Sequence, residues 1–256
     1  MSTLYADVCI VGSGAGGGPV AKVLAEAGLD VLVVERGRNV ERADFAVHDE
    51  TRTALDDGVW MPSLEQDPYL TPAQEGGKLE PSNDGKMPML LGGSTNFWGA
   101  YCFRMQPVDF ALTARYGRVD GSTACDWPIG FGELLPFYAL AERELGLAGG
   151  QFPAGSPPAE LSAELWKGGP WTPLEPLKLH PFANVLGDAC RKLGLHPYQT
   201  MQAILEKERG GRGACAHTGY CATYGCPTGA KGSVRETLLA AARKTGKCRV
   251  LTDLRA

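Results

Sequence analysis

The first 35 residues alternate between short apolar runs and glycine-rich turns. Residues 6–11 (ADVCIV) and 31–34 (VLVV) are rich in β-branched side chains, which is typical of buried parallel strands. Residues 19–27 between them have helical spacing, with Pro19 in the first turn and Gly28 after the end. Strand, glycine turn, helix and strand predict a βαβ unit and an α/β fold of the Rossmann type.

Two later segments also predict amphipathic helices, residues 131–147 and residues 182–193. Residues 38–90 lack strong periodicity and predict irregular structure with short helices. Residues 148–176 are rich in glycine and proline and predict a long surface excursion.

The last 24 residues predict one more helix and one more strand. Ser233 and Glu236 have the spacing of a capping box, which predicts a helix starting there and running to about residue 244. Residues 249–253 then predict another buried strand, three residues before the sequence stops. A core strand so close to the last residue suggests that the chain is part of a longer or split protein.

Composition excludes several classes of protein. Hydrophobic residues make up 44% and charged residues 21%, and the formal net charge of −4 does not indicate nucleic-acid binding. No apolar run reaches the roughly 18 residues of a membrane span, and the N-terminus lacks the pattern of a secretory signal. We therefore expect a cytoplasmic location, with a periplasmic one only if a partner exports the chain.

The turn after the first strand carries the motif Gly12-x-Gly14-x-x-Gly17. Glycines at these positions allow a tight turn, close approach of a pyrophosphate to the backbone, and close packing of helix on strand. Glu35 ends the second strand, where a carboxylate binds ribose hydroxyls and disfavours a 2′-phosphate. A glycine turn without a ligand is the alternative, and the motif alone does not distinguish FAD from NAD.

Three further segments follow in order: residues 91–99 (LGGSTNFWG), 126–129 (DWPI) and 225–233 (GCPTGAKGS). Together with the first motif they resemble the glucose–methanol–choline (GMC) oxidoreductases, in particular the large subunits of bacterial gluconate and FAD-glucose dehydrogenases. The resemblance implies a glutathione-reductase-like FAD-binding domain with part of a substrate domain. It also implies oxidation of a CH–OH group of an alcohol, sugar or sterol-like substrate, with hydride transfer to flavin N5.

The second glycine-rich segment is the implied flavin-contact loop. Its glycines let backbone N–H groups approach the cofactor, and a structural turn around a buried tryptophan is the alternative. Residues 96–98 contain no histidine for covalent attachment, so we expect non-covalent FAD. The candidate cofactor-binding residues are Gly12, Gly14, Ala15, Gly17, Glu35, Arg36, Gly92, Gly93, Ser94, Asn96, Trp98 and Gly99.

The resemblance also suggests a division of the chain into three segments. Residues 1–125 are the predicted FAD-binding segment and residues 126–210 are part of a substrate or cap region. Residues 211–256 are a cysteine-containing loop followed by a return to the FAD-binding domain.

Cys215, Cys221 and Cys226 lie close together in that loop. The resemblance implies that they could ligate a 3Fe–4S cluster, with a cytochrome subunit as electron-transfer partner. Zinc with His217 as the fourth ligand, and packed or disulfide-linked cysteines, are the alternatives.

The catalytic base stays unknown. In the family it is a histidine in the C-terminal part, and none of the four histidines here matches that position. Two other functions remain open at this point. One is a non-catalytic FAD-binding fragment or subunit that needs a C-terminal partner, and the other is an NAD-dependent dehydrogenase.

Overall fold

The computed structural model describes residues 3–45, 69–82, 87–149, 174–219 and 224–256. Its strands are β1 (Val8–Val11), β2 (Val31–Val34), β3 (Tyr69–Pro72), β4 (Leu79–Ser82) and β5 (Cys248–Leu251). Its α-helices are α1 (Gly17–Glu26), α2 (Leu112–Tyr116), α3 (Phe131–Leu145), α4 (Pro181–Lys192) and α5 (Leu238–Lys244). Short 3-10 turns lie at Arg42–Phe45, Gly93–Asn96 and Pro107–Phe110.

The chain forms two compact units. Unit 1 comprises Met1–Gly99 and Ala216–Ala256, and unit 2 comprises Ala100–Cys215. The three-segment division with boundaries at residues 125 and 210 stays a prediction. No helix in the described ranges is both long and apolar enough to cross a membrane.

Unit 1 contains a three-stranded parallel sheet in the order β1-β2-β5. Val31 pairs with Val8 on one side and with Cys248 on the other, so the VLVV run is the central strand. Val31 and Val33 are fully buried, which explains why this strand is almost entirely apolar. The predicted βαβ unit and α/β fold are confirmed.

Helices α1 and α5 contribute small side chains to the core of unit 1. Ala21 and Ala25 of α1 and Ala242 of α5 are almost completely buried, in one cluster with the central strand. Alanine allows close approach of helix and sheet, and a Cβ on Gly18 would lie only 2.0 Å from Val234 Cγ1. Small residues on α1 therefore allow this helix to pack closely against the sheet and against Val234.

Two predictions about this unit were wrong. The last helix begins at Leu238, not at Ser233, because Glu236 does not complete the capping box. Its carboxylate instead accepts hydrogen bonds from Arg42 Nη2 (2.6 Å) and Nε (3.1 Å), which raises the pKa of Arg42. The segment predicted to be irregular contains the antiparallel pair β3 and β4.

Unit 2 contains α3, which follows the predicted helix closely. The Glu133 carboxylate accepts the Gly130 N–H at 2.8 Å and caps its first turn. Gly146 ends the helix in the left-handed conformation (φ 75°), and Arg212 Nη1 donates to the Leu145 carbonyl at 2.9 Å. The second predicted helix is confirmed as α4.

Candidate functional site

The first glycine motif lies at the carboxyl end of β1 and leads into α1. Gly12 has φ 89°, a conformation that favours glycine, and its N–H donates to the Val34 carbonyl at 2.8 Å. A Cβ on Gly17 would lie 2.0 Å from the Gly12 carbonyl oxygen, so a larger residue would open the turn. A Cβ on Gly14 would meet nothing within 4 Å, since this glycine faces open space.

Glu35 follows β2 and turns its carboxylate toward the same motif. Oε2 accepts the Ser13 N–H at 2.8 Å and the Ser13 hydroxyl at 2.5 Å, while Oε1 accepts the Gly37 N–H at 2.8 Å. An ionised carboxylate has about four acceptor positions. Three protein donors therefore fix the buried carboxylate and leave acceptor capacity for a ligand hydroxyl.

The second glycine motif forms a 3-10 turn held by its own side chains. Asn96 Nδ2 donates to the carbonyls of Leu91 (3.0 Å) and Gly93 (2.9 Å), and Thr95 Oγ1 donates to the Gly92 carbonyl at 2.6 Å. Gly92 has φ 87°, and its N–H donates to Ser13 Oγ at 2.8 Å. The two glycine motifs, 79 residues apart at this contact, are thus hydrogen-bonded to each other.

Lys231 of the segment 225–233, and Val234 directly after it, are hydrogen-bonded to the second glycine motif. The Lys231 side chain is 1% exposed, and its Nζ donates to the Asn96 carbonyl at 3.2 Å. Val234 N–H donates to Thr95 Oγ1 at 3.1 Å. A buried ammonium is unfavourable unless it is hydrogen-bonded, so this contact ties the two segments together.

Both glycine motifs line one open cavity of about 550 Å³ in unit 1. This volume lies within the usual range for ligand pockets. Seven of the candidate cofactor-binding residues line it: Gly12, Gly14, Ala15, Glu35, Arg36, Gly93 and Ser94. Gly17, Gly92 and Asn96 do not line the cavity. They hold the lining residues in place through the packing and hydrogen bonds given above.

Trp98 and Gly99, the remaining candidates, are not among the residues that line this cavity. Within the described residues, Trp98 Nε1 is buried and has no hydrogen-bond partner. Leaving such a donor unsatisfied costs about 1–3 kcal/mol.

Sequence reasoning assigned no role to Ser13 or Lys231. Ser13 occupies a variable position of the glycine motif, and its partners Glu35 and Gly92 are distant in sequence. Lys231 lies in the segment 225–233, but a lysine in a glycine-rich loop is usually exposed. The single signal in the sequence was the presence of both residues within glycine-rich segments.

The proposed iron–sulfur ligands are only partly described. Cys221 lies outside the described residues. Cys226 Sγ accepts the Lys231 N–H at 3.4 Å and lies 3.6 Å from Thr228 Oγ1. Among the described ranges no group of three His, Cys, Asp or Glu side chains is arranged to hold a metal ion. The structure therefore gives the predicted cluster no support.

Comparisons with known proteins agree with the geometry of unit 1. A family model described as an FAD binding domain matches residues 5–54, which include the first glycine motif and Glu35. The sheet, the glycine turn and this match together confirm the predicted FAD-binding α/β domain.

Three curated relatives extend the similarity. The 6'''-hydroxyparomomycin C oxidase of Streptomyces lividus is 35% identical over 91% of this chain and 38% of its own length. The gluconate 2-dehydrogenase flavoprotein of Pantoea cypripedii is 26% identical over 94% of this chain and 43% of its own length. An uncharacterized GMC-type oxidoreductase of Mycobacterium tuberculosis is 62% identical over 44 residues, which are 17% of this chain and 7% of that protein.

The predicted resemblance to the FAD-binding part of the GMC oxidoreductases is thereby confirmed over most of the chain. The chain spans about two fifths of the length of the first two relatives.

Proposed function

We propose that this chain, which resembles part of the GMC oxidoreductases over most of its length, binds FAD non-covalently in the unit 1 cavity and serves FAD-dependent oxidation of a CH–OH group. One observation carries the proposal. Two glycine motifs and the Glu35 carboxylate line a single cavity at the carboxyl ends of two parallel strands. Open α/β sheets bind nucleotides at such a crevice.

The lining residues fit the parts of a dinucleotide. Gly14 would lie beside the pyrophosphate, since it leaves open space where any side chain would intrude. Glu35 would accept ribose hydroxyls with its remaining lone pairs, and its charge disfavours a 2′-phosphate. The loop of Gly93 and Ser94 would hold the flavin half.

When bound, FAD supplies the two-electron acceptor that converts the alcohol carbon to a carbonyl. The hydroxyl proton needs a base, and we expect that base to come from sequence outside this chain. Unit 1 would hold and orient the cofactor. The names of two relatives indicate hydroxylated, sugar-like compounds, so we propose a polyhydroxylated substrate.

The test is an absorbance spectrum of the purified chain after incubation with FAD and removal of unbound cofactor. We expect the two absorption bands of oxidised flavin, and complete release of the flavin when the protein is precipitated with acid. A colourless protein would contradict the proposal, and flavin that stays with the precipitate would contradict the non-covalent mode.

The same spectra test the reaction class when the chain is combined with a polypeptide that supplies the part of the relatives that this chain does not cover. Under anaerobic conditions a polyhydroxylated alcohol should bleach the flavin bands, and the matching deoxy compound should not. Bleaching by the nicotinamide cofactor NADH alone would instead favour a different reaction.

An iron–sulfur cluster at Cys215, Cys221 and Cys226 and a cytochrome partner stay proposals that rest on the family resemblance. Iron analysis of anaerobically purified protein tests the cluster. Close to three irons per chain would support it, and an iron-free protein that binds FAD would exclude it.

A further inference from the structure

Ser13 is completely buried between the two glycine motifs of unit 1. Its hydroxyl donates to Glu35 Oε2 at 2.5 Å and accepts the Gly92 N–H at 2.8 Å. A serine hydroxyl has one hydrogen to donate and two lone pairs to accept with. Its single donor is therefore committed to Glu35, and one acceptor position is committed to Gly92.

These two contacts join the two halves of the candidate cofactor cavity. Glu35 lies beside the position expected for the ribose, and Gly92 begins the loop expected at the flavin. Gly92 is buried, so its N–H would lose its partner if the hydroxyl were removed. A buried unpaired N–H favours movement of the loop toward another acceptor or toward water.

We propose that Ser13 is a positioning residue that couples the Glu35 carboxylate to the second glycine loop. In this arrangement, a nucleotide that engages Glu35 also fixes the loop that receives the flavin. The inference rests on the proposed FAD site and goes beyond it, since it assigns to one hydroxyl the coupling between the two halves of the site.

The loop has other supports that do not pass through Ser13. Thr95 and Asn96 close the 3-10 turn by their own hydrogen bonds, and Lys231 holds the Asn96 carbonyl. A Ser13→Ala variant should therefore keep its fold and lose the coupling. Ser122→Ala in unit 2 is the matched control, because its hydroxyl oxygen also accepts one backbone N–H, that of Ala124 at 3.0 Å.

The probes are ADP, which reaches only the nucleotide half, and FAD, which reaches both halves. Hydrogen exchange of the peptide covering residues 90–97 is measured by mass spectrometry, with and without saturating ADP. In the wild type and in Ser122→Ala, ADP should slow exchange of this peptide at least about fivefold. In Ser13→Ala, saturating ADP should change it less than about twofold.

Calorimetric titration gives the second readout. The ratio of the dissociation constants of ADP and FAD should fall about tenfold in Ser13→Ala, which corresponds to loss of one buried hydrogen bond specific to the flavin half. Ser13→Cys, whose thiol is a weak donor and acceptor, should give an intermediate ratio.

Equal ADP protection in wild type and Ser13→Ala, with an unchanged ratio, would overturn the role of Ser13 and leave the FAD site intact. If the wild type bound neither ADP nor FAD, the proposed function would fail and this inference with it. If Ser13→Ala did not fold, the result for Ser13→Cys would decide between coupling and its absence.

Discussion

The two compact units each bury a glutamate and hold it in different ways. In unit 2, Arg104 and Glu142 face each other through two hydrogen bonds of 2.7 Å, and both side chains are more than nine-tenths buried. In unit 1, the buried Glu35 carboxylate accepts three hydrogen bonds from two residues and lines an open cavity. The unit 2 pair is matched charge for charge, whereas the hydrogen bonds to the unit 1 carboxylate come from neutral donors.

This difference separates a structural from a functional buried charge. A bidentate arginine–carboxylate pair satisfies both partners and specifies a packing arrangement. A carboxylate held by backbone and hydroxyl donors, with lone pairs left over, is arranged for a ligand that donates hydrogen bonds. Burial alone would have placed Glu35 and Glu142 in one class, and the chemistry of their partners separates them.

The largest effect should come from breaking the unit 2 pair. Arg104→Met leaves the Glu142 carboxylate buried without its cation, which should lower the free energy of unfolding by about 3–5 kcal/mol. Urea unfolding followed by circular dichroism measures this loss. The double variant Arg104→Met, Glu142→Leu should recover most of it, and a double variant as unstable as the single one would show that the charge pair is not the cause.

Gly14→Val should have the next largest effect, on FAD binding and not on folding. The new side chain enters the space expected for the pyrophosphate, and we expect affinity for FAD to fall about a hundredfold, or about 2.7 kcal/mol. Fluorescence titration with FAD measures the loss. Gly132→Val in unit 2 also meets open space and should bind FAD like the wild type. Equal affinity in both variants would remove Gly14 from the site.

Glu35→Gln should have a smaller effect on the same site. Glutamine keeps one acceptor oxygen and replaces the other by an amide nitrogen that cannot accept. The side chain therefore loses its hydrogen bonds either to Ser13 or to Gly37, and with them its fixed orientation. We expect affinity for both ADP and FAD to fall about tenfold, or about 1.4 kcal/mol, by calorimetry. The exposed Glu80→Gln is the control, and a loss confined to FAD would place Glu35 outside the ribose site.

The smallest effect concerns a thiol in unit 2. Burial raises the pKa of Cys102 from its ordinary 9.0 to about 11, and the nearby Glu142 carboxylate also raises it. At pH 8 roughly one molecule in a thousand carries the thiolate, so alkylation should be far slower than at the exposed Cys125. Peptide mass spectrometry after timed exposure to iodoacetamide measures both rates.

The sign of the pH effect follows from the direction of that shift. A folded-state pKa above the unfolded one gives stability that is present below about pH 9 and is lost as the pH rises toward 11. The Cys102 contribution to stability should therefore disappear over this alkaline range. Equal alkylation of Cys102 and Cys125 in the native protein at pH 8 would contradict the burial of this thiol.

The sequence predicted those parts of the fold that depend on local pattern. The βαβ unit could be predicted from the VLVV run, the glycine turn and the glycine that follows the first helix. Strand burial and helix termination depend on a few neighbouring residues, so the sequence shows them directly. The start of α5 was wrong because Glu236 pairs with Arg42, which lies 194 residues away. Contacts of this kind have no local signature.

In the candidate site, too, contacts between residues that are distant in sequence could not be predicted. Gly12, Gly14 and Glu35 could be assigned from spacing, because the βαβ geometry brings them together in any sequence of this type. The link from Ser13 to Gly92 and the burial of Lys231 depend on how the second motif packs on the first. Only the folded arrangement makes these contacts visible.

The most direct measurement is a set of parallel calorimetric titrations of the purified chain with FAD, NAD and NADP. We expect FAD to bind most tightly, because Gly93 and Ser94 line the same cavity as Glu35 and we propose that their loop holds the flavin half. NADP should bind most weakly, because the Glu35 carboxylate repels its 2′-phosphate. Tighter binding of NAD than of FAD would contradict the assignment of the unit 1 cavity to a flavin.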